Sequence, residues 1–283
     1  MNTIVNTTLQ AKANTFRSLH HNAQMLVLPN IWDPLGASLL QSLGYPAVAT
    51  ASASIAFSNG YNDGEHIPFN ELLKVLQRIA NSVNIPVSAD FESGYAADNA
   101  TLESNIKQLI QAGIIGINIE DTNKQTGQLL SIEEQCEKIK LIRKTADEMN
   151  VPLFINARTD VYLKAKPGVT AEQKFDETLK RGQAYIAAGG DCFFPVFMKE
   201  KLYIEKLVTA LNAPVNIIAV PGVPDLKTLK EIGVARVSIG PGLLKQAMQA
   251  MKELAQNLQK YEGLDEVTSN PFTTDNLKAL VNG

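Results

Sequence analysis

Residues 115–149 read IGINIEDTNKQTGQLLSIEEQCEKIKLIRKTADEM, and this stretch contains the unit from which the fold is built. A short apolar run over 115–120 ends at a polar loop over 121–128, and a longer segment with helical periodicity follows. Such an alternation is typical of a βα unit in a parallel sheet, whose strands are buried on both faces. The stretch therefore predicts one strand, one loop and one crossover helix.

The same unit recurs along the whole chain. Further apolar runs, each followed by a helical segment, lie at residues 25–29, 47–52, 86–90, 152–158, 191–197, 215–220 and 235–240. Eight such units are the number that closes a (β/α)8 TIM barrel. A doubly wound open sheet is the alternative, but PNIWDPLG at 29–36 is not the G-x-G-x-x-G fingerprint of that fold. We predict one α/β barrel domain over residues 1–283, with a C-terminal helical extension from about residue 262.

Composition and charge exclude several classes of partner. The net charge is -3 with 19% charged residues, so nothing predicts a nucleic-acid surface. No apolar run reaches the roughly 20 residues that span a bilayer. The polar N-terminal stretch MNTIVNTTLQAKANTFRSLHH lacks the apolar region of a signal peptide. Cys136 and Cys192 form no metal or redox motif, so we expect two free thiols in a cytoplasmic protein. Together with the charge and the apolar runs, this predicts no membrane or nucleic-acid partner.

Charged side chains stand where three consecutive predicted strands end. Asp90, Glu120 and Arg158 end the third, fourth and fifth runs, and Glu92 follows two residues after Asp90. Active sites of (β/α)8 barrels lie at the C-terminal ends of the strands, so these residues are site candidates. Converging carboxylates need positive charge between them, and Mg²⁺ or Mn²⁺ suits oxygen ligands. No histidine belongs to the set, which argues against zinc.

The strand-end charges could also serve the fold alone. They could form an ion-pair network without a metal, or they could cap the helices that follow. Asp121 and Asp160 lie one or two residues past the candidates, and capping or loop pairing accounts for them better.

Two segments could complete such a site. Ser52, Ala53 and Ser54 follow the second strand, and small residues there let a ligand approach the backbone N–H groups. Tight packing or the start of a helix accounts for the same residues equally well. The loop over 58–68 is rich in Gly, Asn and Asp, and it is either a solvated turn or a mobile lid that brings Asp63 to the site.

Together these features resemble the isocitrate lyase / phosphoenolpyruvate mutase superfamily. The resemblance extends from residues 29–48 to 233–244. It rests on Trp-Asp-Pro at 32–34, Ser-Ala-Ser at 52–54, Asp63, SADFESGY at 88–95, Ile-Glu-Asp at 119–121 and Asn-Ala-Arg-Thr-Asp at 156–160. It implies a (β/α)8 barrel, usually tetrameric, with the last helices exchanged between subunits. We therefore expect a homotetramer or a homodimer.

The resemblance also implies a role for each candidate residue. Asp90 matches the residue that binds Mg²⁺ directly, and Asp63, Glu92 and Glu120 match residues that contact the metal largely through water. Ser52, Ala53 and Ser54 match the segment that binds the oxygens of a 2-oxo acid through backbone N–H groups. Arg158 matches the arginine that holds the substrate carboxylate. Asp63, Glu120 and Arg158 are thus the expected catalytic residues, beside a metal-stabilised enolate.

The loop after the fourth strand departs from the patterns of the superfamily. Isocitrate and methylisocitrate lyases carry Lys-Arg-Cys-Gly-His there, with the cysteine as acid/base, and residues 121–128 contain no cysteine. Members that act on phosphonopyruvate have a lysine and then an asparagine where this chain has Thr126 and Gln128. In addition, Glu92 stands in place of the usual aspartate, and Ala53 in place of the usual glycine.

The resulting hypothesis is a Mg²⁺-dependent carbon–carbon lyase that acts on a small 2-oxo acid through a metal-stabilised enolate. Decarboxylation or retro-aldol-type cleavage fits best. Phosphorus–carbon chemistry, as a mutase or a hydrolase, is the alternative among enzymes. A barrel that binds a metabolite without catalysis is the alternative from another class.

Overall fold

A ring of parallel strands forms the centre of the molecule. The computed structural model describes residues 2–282, with side chains over 8–281. Every strand pair in this range is parallel, and the pairs form one sheet of six strands and one of three that together make up the predicted (β/α)8 barrel. The strands are β1 (Leu26–Leu28), β2 (Asn30–Ile31), β3 (Val48–Thr50), β4 (Val87–Asp90), β5 (Gly116–Glu120), β6 (Phe154–Thr159), β7 (Cys192–Pro195), β8 (Asn216–Ile218) and β9 (Arg236–Ser238).

The first predicted strand, over residues 25–29, ends at Pro29, but strand pairing continues after this proline in β2. β1 pairs with β9, and β2 pairs with β3. Proline has no N–H group for a ladder, so the strand is interrupted there. A parallel bridge between Phe193 and Val215 joins β7 to the start of β8. The Asn30 side chain accepts a hydrogen bond of 2.9 Å from the N–H of Ile239, which ties β2 to the end of β9.

Helices follow the strands around the ring, as predicted, and several short ones are added. The helices are α1 (Asn2–Leu19), α2 (Pro34–Ser42), α3 (Ser52–Ser58), α4 (Phe69–Asn81), α5 (Asn99–Gln111), α6 (Ile132–Glu148), α7 (Val161–Lys164), α8 (Ala171–Ala187), α9 (Lys201–Ala210), α10 (Leu226–Ile232), α11 (Gly242–Leu258), α12 (Leu264–Thr268) and α13 (Thr274–Asn282). α3 and α7 lie within loops at the carboxyl ends of strands, and α12 and α13 follow the last strand-associated helix.

Side-chain caps show why several helices begin where they do. Asp33 caps α2, whose first residue is Pro34. Ser131 and Glu134 form a capping box at the start of α6. Such caps satisfy N–H groups that no carbonyl within the helix can reach. The box at Ser131 therefore fixes the end of the loop that leads from β5 to α6.

α1 closes the amino-terminal end of the ring. Phe16 is fully buried and packs edge-on against Phe154, with 5.1 Å between the ring centroids. The His20 ring stacks on the same phenyl group at 4.1 Å. An aromatic cluster thus fills this end, and the polar loops that border the candidate site lie at the opposite end.

The last helices lie on the surface. No residue of α11 within the described range is buried, and Met248 and Met251 are 52% and 63% exposed. α13 packs against α2 of the same chain. Within residues 2–282, none of the helices combines the length and the apolar character needed to cross a membrane.

Candidate active site

The carboxyl ends of β4, β5 and β6 bring the three predicted charges together. Asp90 is the last residue of β4 and lies in register with Asn118. Glu120 is the last residue of β5 and lies in register with Arg158. Because side chains alternate along a strand, Asn118 and Glu120 lie on the same face of β5. Strand pairing alone therefore places these side chains side by side.

Neutral donors hold the Asp90 carboxylate. Its Oδ2 accepts hydrogen bonds from the hydroxyl of Ser52 at 2.8 Å and from the Ser52 N–H at 3.2 Å. Its Oδ1 accepts one from Nδ2 of Asn118 at 3.2 Å, and Asn156 donates in turn to Oδ1 of Asn118 at 2.7 Å. Two amides from neighbouring strands thus orient the carboxylate without neutralising it.

Asp63 reaches the same place from the loop between α3 and α4. Its Oδ1 lies 3.2 Å from the hydroxyl oxygen of Ser52, which also contacts Asp90. Neither carboxylate forms an ion pair with any side chain over residues 8–281. The predicted approach of Asp63 to the site is therefore present in the fold.

Lys124 lies between the other two acidic residues. Its ammonium group is 2.7 Å from Oε2 of Glu92 and 2.7 Å from Oε1 of Glu120, and both glutamates are buried. We expected positive charge between converging carboxylates, and for this pair a side chain of the chain itself supplies it. Glu92 and Glu120 therefore differ from Asp63 and Asp90, which contact no cationic side chain in the described range.

Burial and ion pairing act in opposite directions on the pKa values of this cluster. Burial raises the pKa of Glu120 to about 7, although Arg158 opposes the shift. Burial also raises the pKa of Glu92, against the lowering effect of Lys124. The pKa of Lys124 is raised because the two carboxylates outweigh the effect of burial. Lys124 thus remains a cation, and the two glutamates share its charge.

Arg158 is held by carboxylates on both sides. Nη1 lies 2.9 Å from Oε2 of Glu120, and Nε donates to Oδ1 of Asp160 at 2.7 Å. Nη2 forms no hydrogen bond with the residues that the structure describes. These carboxylates outweigh burial and raise the pKa of Arg158, so the guanidinium stays charged with one edge available.

Asp121 and Asp160 pair with neighbouring side chains, as the sequence favoured. Asp121 accepts hydrogen bonds from Thr159 at 2.7 Å and Tyr185 at 2.8 Å, and it forms an ion pair with Arg181 at 3.0 Å. Asp160 occupies the N-cap position of α7 but makes no side-chain cap bond there. Both residues therefore stabilise the frame around Arg158.

The small residues after β3 begin a helix. Ser52, Ala53 and Ser54 are the first residues of α3, and the N-cap residue Ala51 makes no side-chain cap bond. The Ser52 N–H points to Asp90. First-turn N–H groups have no partner within a helix, so those of Ala53 and Ser54 remain suited to an oxygen ligand. The helix start and the oxygen-binding segment, which the sequence offered as alternatives, are thus compatible with each other.

The donor set fits a hard divalent cation at Asp90. Mg²⁺ is usually bound by one or two carboxylates, with water and substrate oxygens at the remaining positions. Among the described residues, no three His, Cys, Asp or Glu side chains are arranged to hold a metal ion directly. Asp90, with Asp63 beside it, would supply such a smaller set of ligands to a bound Mg²⁺.

Several residues of the site were not predicted from the sequence. Lys124 and Asn118 both lie outside the set of residues that the sequence predicts for the site. The signal for Asn118 was available, because a polar residue two positions before Glu120 in a buried strand lies on the same face. The position of Lys124 depends on a loop conformation that local sequence does not specify.

Comparisons with known proteins identify the family of this chain and several of its relatives. The family described as phosphoenolpyruvate phosphomutase matches residues 16–259. Rv1998c of Mycobacterium tuberculosis (strain ATCC 25618 / H37Rv), an uncharacterised protein, is 31% identical over 226 residues, which are 80% of this chain and 81% of that protein. The 2-methylisocitrate lyase of Escherichia coli (strain K12) is 25% identical over 95% of this chain and 91% of that enzyme. The oxaloacetate decarboxylase of Bradyrhizobium diazoefficiens is 25% identical over 82% of this chain and 79% of that enzyme.

Solved structures share the fold. A protein from Burkholderia cenocepacia J2315 that carries the provisional name phosphonomutase superposes with a TM-score of 0.84 at 39% identity, over 88% of this chain and 98% of its own. A phosphonopyruvate hydrolase in complex with oxalate and Mg²⁺ superposes with a TM-score of 0.82 at 22% identity, over 95% of this chain and 94% of its own. At that identity, the second likeness shows the fold alone.

Fold and strand-end residues define a (β/α)8 barrel of an enzyme superfamily whose members include lyases, decarboxylases and mutases. More narrowly, the chain belongs to the phosphoenolpyruvate phosphomutase family, within the isocitrate lyase / phosphoenolpyruvate mutase superfamily.

Proposed function

We propose that this chain is a Mg²⁺-dependent lyase that breaks a carbon–carbon bond of a small 2-oxo acid. The observation that carries the proposal is the hydroxyl of Ser52, which lies within 3.2 Å of carboxylate oxygens of both Asp63 and Asp90. A hydroxyl has one proton, so only one carboxylate can receive its hydrogen bond. The other carboxylate faces an oxygen lone pair, and a cation beside Asp90 removes that repulsion.

Asp90 is the proposed direct ligand, with Asp63, Glu92 and Glu120 acting through water. Bound there, Mg²⁺ would polarise the 2-oxo group and stabilise negative charge that develops on its oxygen. The first-turn N–H groups of Ala53 and Ser54 in α3 are proposed to bind the other oxygens of the substrate. Arg158 pairs with a substrate carboxylate through Nη2, the edge that Glu120 and Asp160 leave available.

The charge state of the site favours carbon–carbon cleavage by decarboxylation. The loop after β5 contains neither cysteine nor histidine, and Glu92, Glu120 and Lys124 are engaged in ion pairs. Loss of CO₂ from C3 of a 2-oxo acid needs no base, because the departing carboxylate leaves its electron pair on the product. Retro-aldol cleavage also requires a base for the substrate hydroxyl. Relatives that are an oxaloacetate decarboxylase and a 2-methylisocitrate lyase support either form of cleavage.

Phosphorus–carbon chemistry is the second candidate. One observation favours it, which is the 39% identity to the Burkholderia protein provisionally named a phosphonomutase. The side chains at Thr126 and Gln128 argue against it, since neither supplies the cation expected at the first of these positions.

A panel of substrates tests the proposal. Purified protein is incubated with oxaloacetate, other substituted 2-oxo acids and phosphonopyruvate, with Mg²⁺ or with a chelator, and release of CO₂, pyruvate and phosphate is measured. We expect Mg²⁺-dependent pyruvate release from a carbon substrate, lost in Asp90→Asn and retained in Asp147→Asn, a matched change at an exposed position of α6. Turnover of phosphonopyruvate and of no carbon substrate, either to phosphate and pyruvate or to phosphoenolpyruvate, would favour the second candidate. Thermal stabilisation by these acids without turnover would indicate a binding protein instead.

A further inference from the structure

The loop that follows β4 has an unusual backbone. Glu92 and Tyr95 have φ angles of 47° and 51°, in the left-handed region that side chains other than glycine rarely adopt. Such residues persist only when surrounding contacts hold them in place. Glu92 is proposed to contact the metal through water. The contacts that hold this loop in place therefore also orient the Glu92 carboxylate.

Glu65 is the residue that holds it. Its Oε1 accepts hydrogen bonds from the Ser93 N–H at 2.8 Å, the Ser93 hydroxyl at 2.6 Å and the Tyr95 N–H at 3.1 Å. In return, the N–H of Glu65 donates to Oε1 of Glu92 at 3.0 Å. Converging N–H groups of a turn form a concave anion site, and the Glu65 carboxylate fills it.

Two further side chains contact the same loop, but they bind its carbonyl groups and not its N–H groups. Asn105 donates to the carbonyl of Tyr95 at 2.9 Å, and Lys138 donates to that of Ser93 at 3.1 Å. These donors belong to α5 and α6, and they satisfy carbonyl groups. Of the side chains in this set, only that of Glu65 satisfies the N–H groups, and only Glu65 belongs to the loop that carries Asp63, two residues earlier.

We propose that Glu65 is a positioning residue. It holds the loop of Asp63 (residues 59–68) against the loop of Glu92 (residues 91–98) and so sets the distance between the Asp63 and Glu92 carboxylates. It does not contact the substrate. The inference rests on the proposed function, since it assigns Glu65 to the same metal-dependent site. Removal of its carboxylate leaves Asp63 and Glu92 in the chain, and of the four hydrogen bonds described above only the one from the backbone N–H of residue 65 to Glu92 still joins the two loops.

Chemical rescue separates this role from a general effect on folding. Glu65→Ala leaves the N–H and hydroxyl donors of Ser93 and the N–H of Tyr95 without their carboxylate. We expect Glu65→Ala to lower kcat/KM and the affinity for Mg²⁺ by about 10- to 100-fold, the range typical of residues that orient metal ligands. Millimolar formate, which fits the vacated anion site, should restore part of both. Glu65→Gln retains an acceptor oxygen and should stay within about threefold of wild type.

Glu71→Ala is the matched control, since Glu71 lies close in sequence and its carboxylate accepts a hydrogen bond only from the hydroxyl of Tyr61 among the described residues. It should remain active and insensitive to formate. Full activity of Glu65→Ala, or a loss that formate leaves unchanged while Glu65→Gln is equally impaired, would overturn the proposal.

Amide hydrogen exchange tests whether Glu65 holds the two loops together, even if the protein turns over no substrate. Glu65→Ala should increase exchange at residues 59–68 and 91–98 together, and formate should reverse part of the increase at 91–98. Unchanged exchange at both segments would contradict the proposed role of Glu65. Absence of turnover and of Mg²⁺ binding in wild type would instead contradict the proposed function. Hydrogen exchange alone would then test whether Glu65 holds the two loops together.

Discussion

His20 is a buried neutral histidine at the closed end of the barrel. Its Nδ1 donates to the carbonyl of Phe16 at 2.8 Å, and its ring stacks on Phe154. Burial, with Arg236 as the next contributor, lowers the pKa of His20 to about 3 from its ordinary value of 6.5. The imidazole is therefore uncharged in the folded protein throughout the neutral range, while an unfolded chain titrates at the ordinary value.

This difference predicts how stability depends on pH. Above about pH 6.5 both states are neutral at His20, and below it only the unfolded chain takes up the proton, so stability is lost as the pH falls toward about 3. The contribution is about 1.4 kcal/mol per pH unit in that window. His20→Phe keeps a ring against Phe154 but does not titrate. Its free energy of unfolding should therefore fall less steeply than that of wild type between about pH 6 and pH 4.

Urea unfolding at several pH values measures these slopes. His21→Phe, at the exposed neighbouring position, is the control and should follow the wild-type slope. Parallel slopes for wild type and His20→Phe would show that His20 does not carry the effect.

At the same scale, the sequence predicted which strand-end residues lie close together better than it predicted the partners of their side chains. Asp90, Glu120 and Arg158 could be recognised because an apolar run that ends in a charge at a strand end is informative in any barrel. The division of the carboxylates into two pairs, one bound to Lys124 and one without a cationic side chain, was not predictable. It depends on side-chain reach across loops, which periodicity does not encode.

Among the elements, the loop from β5 to α6 differs most from the patterns of the superfamily. It folds as a small hairpin, with a bridge between Thr122 and Leu129 and a hydrogen bond of 2.8 Å from the Asn123 N–H to the carbonyl of Gln128. This hairpin carries Lys124 to Glu92 and Glu120. The sequence identified the loop as unusual, and in the folded chain the loop contributes the ammonium group of Lys124 to the cluster.

Removal of that cation should destabilise the protein. Lys124→Met leaves Glu92 and Glu120 buried without an ammonium partner, and we expect the free energy of unfolding to fall by about 1–3 kcal/mol in the absence of Mg²⁺. Lys144→Met is the control, because Lys144 pairs with Glu148 at the surface at 3.8 Å. Its effect should stay below about 0.5 kcal/mol. Equal stability of the two variants in chemical denaturation would refute the structural role of Lys124.

The strands were predicted to within a few residues because parallel strands in a barrel are continuous apolar runs. Pro29 marks where that prediction was too simple. We placed it at the end of the first strand, and the pairing continues beyond it through Asn30 and Ile31. The left-handed turns at Glu92 and Tyr95 were also unpredictable, since neither residue type favours that conformation.

For the whole molecule, the exposed C-terminal helices are the feature that the single chain leaves unexplained. Met248 and Met251 lie exposed on α11, near Leu258 at 43% exposure. Apolar side chains grouped on one helix usually mark a contact with another protein. This agrees with our expectation of a homodimer or homotetramer, which stays a prediction.

Sedimentation velocity tests that expectation. Wild type should sediment as a dimer or tetramer, and the double variant Met248→Lys, Met251→Lys should shift toward the monomer with an unchanged circular dichroism spectrum. Gln249→Lys, an exposed change between the two methionines, should leave the oligomer intact. A monomeric wild type, or a double variant that sediments like wild type, would refute subunit contact through α11.

The most direct test of the central claim is a calorimetric titration of Mg²⁺ into the protein in the presence of oxalate, an analogue of a 2-oxo acid enolate. Wild type should bind one Mg²⁺ per chain, Asp90→Asn should bind it at least about tenfold more weakly, and Asp147→Asn should match wild type. If wild type binds no Mg²⁺, or if Asp90→Asn binds it as tightly as wild type, then Asp90 is not the metal ligand and the proposed chemistry of this barrel is wrong.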